Sequence, residues 1–166
     1  MLKDIYFFNP RKLAERIRVG EIGQLIQLKH FIIFSILFYS GFSLPIIIAS
    51  ESSDINEWVE YFLFFLAEAA INYYGIYYTY QINQKGDGQN YFGRLFCLAL
   101  PVSIKLFIYS LLISLIISSL LFSKPAWEVD SNQYMLTIIS FVGPCVYSIA
   151  FYLLIGKYIR ICSSNS

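Results

Sequence analysis

The chain has 166 residues, of which 57% are hydrophobic and 14% charged, with a net charge of +1 and a mean hydropathy of +0.58. This composition lies on the apolar side of soluble proteins and argues against a soluble domain, which would have too little chain left to cover its apolar helices. The basic residues are interspersed with acidic ones and lie near apolar runs, so no nucleic acid is expected as a partner. We therefore expect an all-α integral membrane protein.

The first predicted element is a basic amphipathic helix over residues 1–29, lying on the cytoplasmic membrane surface. Asn9 is suited to cap it, and Pro10 to occupy its first position. Apolar and basic side chains recur at helical spacing, namely Leu13, Ile17, Leu25 and Leu28 against Arg11, Lys12, Arg16 and Arg18. Two interpretations stay open. The helix is either a docking surface for a cytoplasmic partner or anionic lipid, or a topology signal that anchors the first span.

Four apolar runs follow, and each is long enough to cross a hydrocarbon core of about 30 Å as a helix of about 20 residues. They lie at about residues 30–50, 58–80, 95–122 and 134–156. The expected fold is a four-transmembrane-helix bundle over residues 30–160, followed by a cytoplasmic tail over residues 161–166.

Prolines are expected to bend these spans. Kinks are predicted at Pro45 in the first run and at Pro144 in the fourth. The third run would be about 42 Å long as a helix, more than a perpendicular crossing needs. Pro101 can divide it, so that residues 91–100 form an interfacial helix and the crossing starts near Val102. The alternative is a crossing that starts at the beginning of the run.

The charge distribution predicts the topology. Lys and Arg are concentrated in the N-terminal stretch, the loop at residues 81–94 and the C-terminal tail, whereas the other two loops carry only Lys124. The positive-inside bias then places both termini in the cytoplasm. The expected location is a bacterial inner membrane, and the first run is too long to be the apolar part of a cleaved signal peptide.

Polar side chains inside the spans are the candidate functional residues, because ionisable groups are costly there. Glu68 is close to mid-membrane, and Asn72 lies one turn further on the same face. Lys105 is the candidate partner of Glu68 if the third crossing starts early. If the crossing starts later, the Lys105 side chain can reach the cytoplasm. A pair of Glu68 and Lys105 has three interpretations: structural packing, an ion or proton pathway, or a contact between subunits.

The third run also carries a face of small hydroxyl side chains. They are Ser103, Ser110, Ser114 and Ser118. Such a face lets helices approach closely, and around a symmetry axis it can line a polar pore. We expect it to be buried, with Ala67 and Gly75 of the second run as counterparts and a homo-oligomer as the assembly.

The sequence contains no pattern typical of an enzyme or a metal site. No H-E-x-x-H, P-loop or G-x-S-x-G motif is present, and His30 is the only histidine. We expect no catalytic residue, no metal and no cofactor. The three cysteines have no close spacing and are expected to be unpaired. Asp87 lies in a Gly-rich segment, Gly86–Arg94, and is interpreted as a turn residue rather than a ligand.

Three functional hypotheses follow. The first is a non-enzymatic, self-assembling polytopic membrane module, such as a sensor, anchor or accessory subunit, that presents a basic cytoplasmic face to a partner protein. The residues predicted to dock a partner or lipid are Arg11, Lys12, Arg16, Arg18, Lys85 and Arg94. The alternative is a homo-oligomeric pore or ion-leak channel, of toxin-like or phage-defence type, lined by the serine face and Glu68. The third is a proton-coupled small carrier.

Overall fold

The computed structural model describes residues 5–42, 55–122 and 129–164, and this part of the chain is helical with no strand. Its helices are α1 (Pro10–Arg18), α2 (Gln24–Phe42), α3 (Ile55–Lys85), α4 (Tyr91–Phe122) and α5 (Val129–Ser163). Within the described residues, two stretches are long and apolar enough to cross a membrane, Tyr91–Ile117 and Val142–Ser163. The all-helical fold is confirmed, and a bundle of four spans is not.

The first two predicted spans fall short of this measure for different reasons. In α2 the described apolar stretch is Gln24–Leu37. The rest of the first predicted span, residues 43–50 with the kink expected at Pro45, lies outside the described residues. By contrast, α3 covers the whole second run, but its many tyrosines and its glutamates lower the mean hydropathy. Tyrosine is nevertheless favoured at membrane interfaces, so length and hydropathy alone do not decide the role of α3.

The N-terminal region forms a short helix followed by a turn, not one helix over residues 1–29. The Asn9 side chain caps α1 as expected, because its Oδ1 accepts a hydrogen bond of 3.0 Å from the backbone N–H of Lys12. After α1 the chain turns at Gly20, whose φ of +76° lies in the region that favours glycine. Leu25 and Leu28 consequently belong to α2, where they are exposed.

The apolar side of α1 packs against α4 and α5. Leu13 and Ala14 are 0% exposed and Ile17 is 8% exposed. The helix is amphipathic, as the sequence predicts, but protein rather than lipid covers its apolar side. It is therefore an integral part of the folded unit.

Both internal prolines lie within continuous helices. Pro101 is inside α4 and Pro144 is inside α5. The stretch 91–100 is thus the first part of α4 rather than a separate interfacial helix. It is held there by burial, since Leu98, Leu100 and Val102 are fully buried. The missing N–H of Pro101 removes one backbone hydrogen bond without ending the helix.

The apolar core lies at one end of the helices, which we call the core end. The buried cluster there includes Leu13, Ile17, Ile22, Ile82, Leu95, Leu98, Ile155 and Ile159. Further along α4 and α5 the apolar side chains are exposed, among them Phe107, Leu111, Leu115, Val146 and Leu153. One chain therefore buries its core end well and leaves apolar surface uncovered along the rest of both helices.

Neighbouring residue pairs establish the directions of the helices. The pairs are Asn72 with Tyr152 and Gly86 with Ser163 between α3 and α5, Gln27 with Asn90 and Phe31 with Phe96 between α2 and α4, and Cys97 with Cys162 and Ser103 with Tyr147 between α4 and α5. Thus α2 runs parallel to α4, α3 runs parallel to α5, and α4 runs antiparallel to α5. The C-terminal ends of α3 and α5 and the start of α4 all meet at the core end.

Candidate functional site

Two hydrogen bonds join α3 to α5 at the predicted intramembrane residues. The Ser148 hydroxyl donates to Glu68 Oε2 at 2.9 Å, and the Tyr152 hydroxyl donates to Asn72 Oδ1 at 2.8 Å. Asn72 Nδ2 also donates to the backbone carbonyl of Glu68 at 2.7 Å. Because the residues are one turn apart on each helix, they form two successive cross-links, which we call the polar ladder.

Glu68 and Lys105 do not pair in the structure, contrary to one of the two registers considered for the third run. Lys105 Nζ lies 5.9 Å from the centroid of the Tyr109 ring on its own helix, which is a cation–π arrangement. Glu68 faces α5, where Ser148 donates to its Oε2 and the Cys145 thiol is a further side-chain neighbour, and its Oε1 is buried. No sequence pattern indicates Ser148 and Tyr152 as the partners of Glu68 and Asn72, because the register of α5 against α3 decides which side chains meet.

Glycine allows α3 and α5 to approach closely beside the polar ladder. A Cβ atom at Gly75 would lie 2.2 Å from Cγ of Tyr152. A Cβ atom at Gly156 would lie 2.7 Å from Cε1 of Tyr78. Gly75 is therefore a close-approach residue, as predicted, but it accommodates Tyr152 of α5 rather than the serine face of α4.

The predicted serine face of α4 divides into a buried and an exposed part. Ser103 is 3% exposed, and its backbone carbonyl accepts a hydrogen bond of 3.3 Å from the Tyr147 hydroxyl. Ser110 and Ser114 are exposed in the single chain, and Ser110 donates back to its own helix. The side chain of Ser118 lies outside the described residues. Burial of Ser110 and Ser114 against a second copy stays a prediction.

A buried arginine holds the turn between α3 and α4. Arg94 is 6% exposed, and its Nη1 and Nη2 donate to Oδ1 and Oδ2 of Asp87, each at 2.5 Å. Nη1 also donates to Asn83 Oδ1 at 2.8 Å. The hydrogen bond from Arg94 holds the pKa of Asp87 below its usual 3.8. Asp87 is a turn residue, as expected, whereas Arg94 is corrected from a docking residue to a structural one.

The same turn is joined to α2. Asn90, whose φ is +44°, donates from Nδ2 to Gln27 Oε1 at 3.0 Å. Gln27 in turn donates to the backbone carbonyl of Ile22 at 3.2 Å. A Cβ atom at Gly93 would lie 2.2 Å from Gln27 Oε1, so only glycine fits there without displacing the amide. The Gly-rich segment thus connects α2, α3 and α4.

The other predicted docking residues differ in their availability. Arg11 forms an exposed ion pair with Glu15 at 3.1 Å. Arg16 is bound on two sides, by Glu21 at 2.6 Å and by the hydroxyl of Tyr6. The remaining three are exposed and have no ion-pair partner in the described part of the chain: Lys12, Arg18 and Lys85.

An open cleft of about 350 Å³ lies between α1 and the C-terminal end of α5. Its lining consists of Arg11, Glu15, Arg18, Arg160, Ile161 and Ser164. We call it the basic cleft. Arg160 was not among the predicted docking residues, because only the packing of α1 on α5 brings it beside Arg11 and Arg18.

The polar ladder and the basic cleft are the two candidate sites. Comparison of the chain with protein families, with curated proteins and with solved structures gives no match. Cys97, Cys145 and Cys162 are free thiols. Within the described ranges, no group of three or more His, Cys, Asp or Glu side chains is arranged to hold a metal ion.

Proposed function

We propose that the chain is a non-enzymatic membrane module that self-assembles and presents the basic side of α1 to a cytoplasmic partner, as a sensor, anchor or accessory subunit does. The packing of α1 is the observation that carries this proposal. A helix that serves only as a topology signal needs its positive charges but does not need to pack against the spans. Here Leu13 and Ile17 are buried against α4 and α5, which holds the exposed Lys12 and Arg18 in a fixed position.

The exposure of the two long apolar helices supports a membrane location. Only 22% of the most apolar window in Tyr91–Ile117 and 33% of that in Val142–Ser163 is buried, whereas a core helix of a soluble protein is mostly buried. The parallel α2 and α4 and the antiparallel α4 and α5 are compatible with the proposed four crossings and cytoplasmic termini. The exposed Lys12, Lys85, Lys157 and Arg160 at the core end agree with the positive-inside bias.

Self-assembly is supported by the surface that one chain leaves uncovered. Ser110 and Ser114 lie on an exposed face of α4 among apolar residues. In a bilayer, apolar surface alone gives little drive for helix association, whereas small hydroxyl residues permit close contact and interhelical hydrogen bonds. The expected contact is between α4 helices of two or more copies.

The partner surface is tested by reversing two exposed charges that lie outside the basic cleft. The full chain and its Lys12→Glu/Lys85→Glu variant are expressed in the native membrane, and cytoplasmic neighbours are recorded by crosslinking. Partner crosslinks should be lost in this variant and retained in Lys157→Glu, an exposed control at the same end. Unaltered crosslinks in the double variant, with normal membrane insertion, would contradict the proposal.

The oligomeric state is measured separately. The purified chain in lipid nanodiscs should give a mass of two or more copies, and Ser110→Leu/Ser114→Leu should shift it toward one copy because the larger side chains prevent close approach. A wild-type mass of one copy at all protein concentrations would refute self-assembly.

A second candidate function, a homo-oligomeric pore, is favoured by Glu68. Its carboxylate is half-buried between α3 and α5, where Ser148 donates to Oε2 and the Cys145 side chain lies within hydrogen-bonding reach, so an acidic group is held inside the helical region. The test is ion conductance of the purified protein in liposomes. No conductance above that of empty liposomes rejects the pore, and conductance with an ion selectivity unchanged by Glu68→Gln rejects Glu68 as its lining.

A further inference from the structure

The basic cleft has more positive than negative charge. Arg11, Arg18 and Arg160 face Glu15 alone, so two positive charges remain. The Arg11–Glu15 pair is exposed on both sides, with 76% and 46% of the side-chain surfaces accessible. Exposed pairs of this kind are weak and are readily exchanged for another anion.

Two helix ends also contribute to the charge of the cleft. Arg18 is the last residue of α1, and α5 ends at Ser163, three residues beyond Arg160. Each C-terminal helix end carries the equivalent of about half a negative charge. The two ends offset about one of the remaining positive charges. An anion of about one negative charge therefore matches the cleft, and a polyphosphate does not.

The position of the cleft restricts the source of that anion. The stretch Val142–Ser163 is one of the two that are long enough to cross a membrane. Since a helix rises about 1.5 Å per residue, Arg160 lies about 5 Å from the end of that stretch, which is the level expected for headgroups when the stretch spans a membrane. Ile161 provides an apolar wall on the same side. A phosphodiester with an attached acyl glycerol fits this combination of charge, depth and apolar contact.

We propose that the basic cleft binds the phosphodiester of an anionic phospholipid, with Arg18 and Arg160 as its principal contacts. Among the described residues neither has an ion-pair partner, so binding the lipid breaks no existing pair at these two positions. Arg11 joins them when Glu15 releases it. The proposal depends on the membrane location of the chain and not on self-assembly or partner recruitment.

The test measures lipid retention by the full chain. Purified protein in a neutral detergent is titrated with phosphatidylglycerol or phosphatidylcholine of the same acyl length, and bound lipid is counted by native mass spectrometry. Wild type should bind phosphatidylglycerol about 25-fold more tightly than phosphatidylcholine, the product of two contributions of about fivefold. Each of Arg18→Gln and Arg160→Gln should reduce that preference about fivefold, in line with the effect of one basic residue at an anionic surface. The double variant should show none.

Matched controls separate a defined site from general attraction. Lys12→Gln and Lys157→Gln each remove one exposed positive charge from the same helices, outside the cleft, and should keep the wild-type preference. If either control loses as much preference as Arg18→Gln, or if wild type shows no preference, the proposal is overturned. Displacement of phosphatidylglycerol by millimolar inorganic phosphate would also overturn it, because the site would then serve a soluble phosphate.

Discussion

Replacing Gly75 with alanine tests the close packing of α3 against α5. The added methyl carbon would lie 2.2 Å from both Cγ and Cδ2 of Tyr152, well inside van der Waals contact. Cγ is the ring atom joined to Cβ, and the Tyr152 hydroxyl donates to Asn72 at 2.8 Å, so moving the ring away from Gly75 would disturb this hydrogen bond.

The expected cost of Gly75→Ala follows from three contributions. Overpacking typically costs about 1–3 kcal/mol. Loss of the Tyr152–Asn72 hydrogen bond adds about 1 kcal/mol. Replacing glycine by alanine within a helix stabilises it by about 1 kcal/mol, which offsets part of this loss. The free energy of unfolding should therefore fall by about 1–3 kcal/mol, measured by SDS titration in mixed micelles with far-UV circular dichroism.

The same substitution in a Tyr152→Ala variant tests whether the Tyr152 ring causes the cost. In Tyr152→Ala the ring is absent, so Gly75→Ala should be neutral or should stabilise by up to about 1 kcal/mol. Gly156→Ala is the matched control, because its Cβ would meet only the outer atoms of Tyr78 and Ile82, which can move at little cost. Equal destabilisation by Gly75→Ala in both backgrounds would show that the Tyr152 ring is not the cause.

Three further changes test the polar contacts. Because Arg94 lowers the pKa of Asp87 in the folded chain, the stability from this pair is fully present above the ordinary pKa of 3.8 and is lost as pH falls through the lower folded value. Asp87→Asn should therefore flatten the loss of unfolding free energy as the pH falls below the ordinary pKa of 3.8. Tyr152→Phe leaves Asn72 Oδ1 without its donor and should cost about 1 kcal/mol in the SDS titration. Glu68→Gln still accepts from the serine on α5 and should change stability by less than about 1 kcal/mol; a loss of about 3–5 kcal/mol would instead reveal a broken buried ion pair.

Features that depend on local sequence were predictable. The Asn9 cap follows from the chemistry of helix N-termini, and the continuous apolar runs predict long helices without knowledge of their neighbours. The single helix expected over residues 1–29 was wrong for a local reason too. Glycine at position 20 takes a left-handed backbone conformation there, which ends α1.

Features that depend on which helices meet were not predictable. Arg94 reads as one more basic residue of a cytoplasmic loop, yet it is buried because Asp87 and Asn83 both accept hydrogen bonds from it. Arg160 reads as a tail residue, yet the packing of α1 places it beside Arg18 in the basic cleft. In both cases the residue type alone does not indicate the role, which depends on the residues that lie beside it in the folded chain.

One face of α3 explains why Glu68 and Lys105, which pair in only one of the two registers considered, do not pair in the structure. Glu68, Asn72, Thr79 and Asn83 follow one another at helical spacing, which predicts a face turned toward protein rather than lipid. The face changes neighbour along its length. The first two residues bond to α5, whereas Thr79 and Asn83 bond to side chains at the start of α4. Thus α3 reaches α4 through this face only near the core end, and at the depth of Glu68 its bonded neighbour is α5, which leaves Lys105 to interact with its own helix.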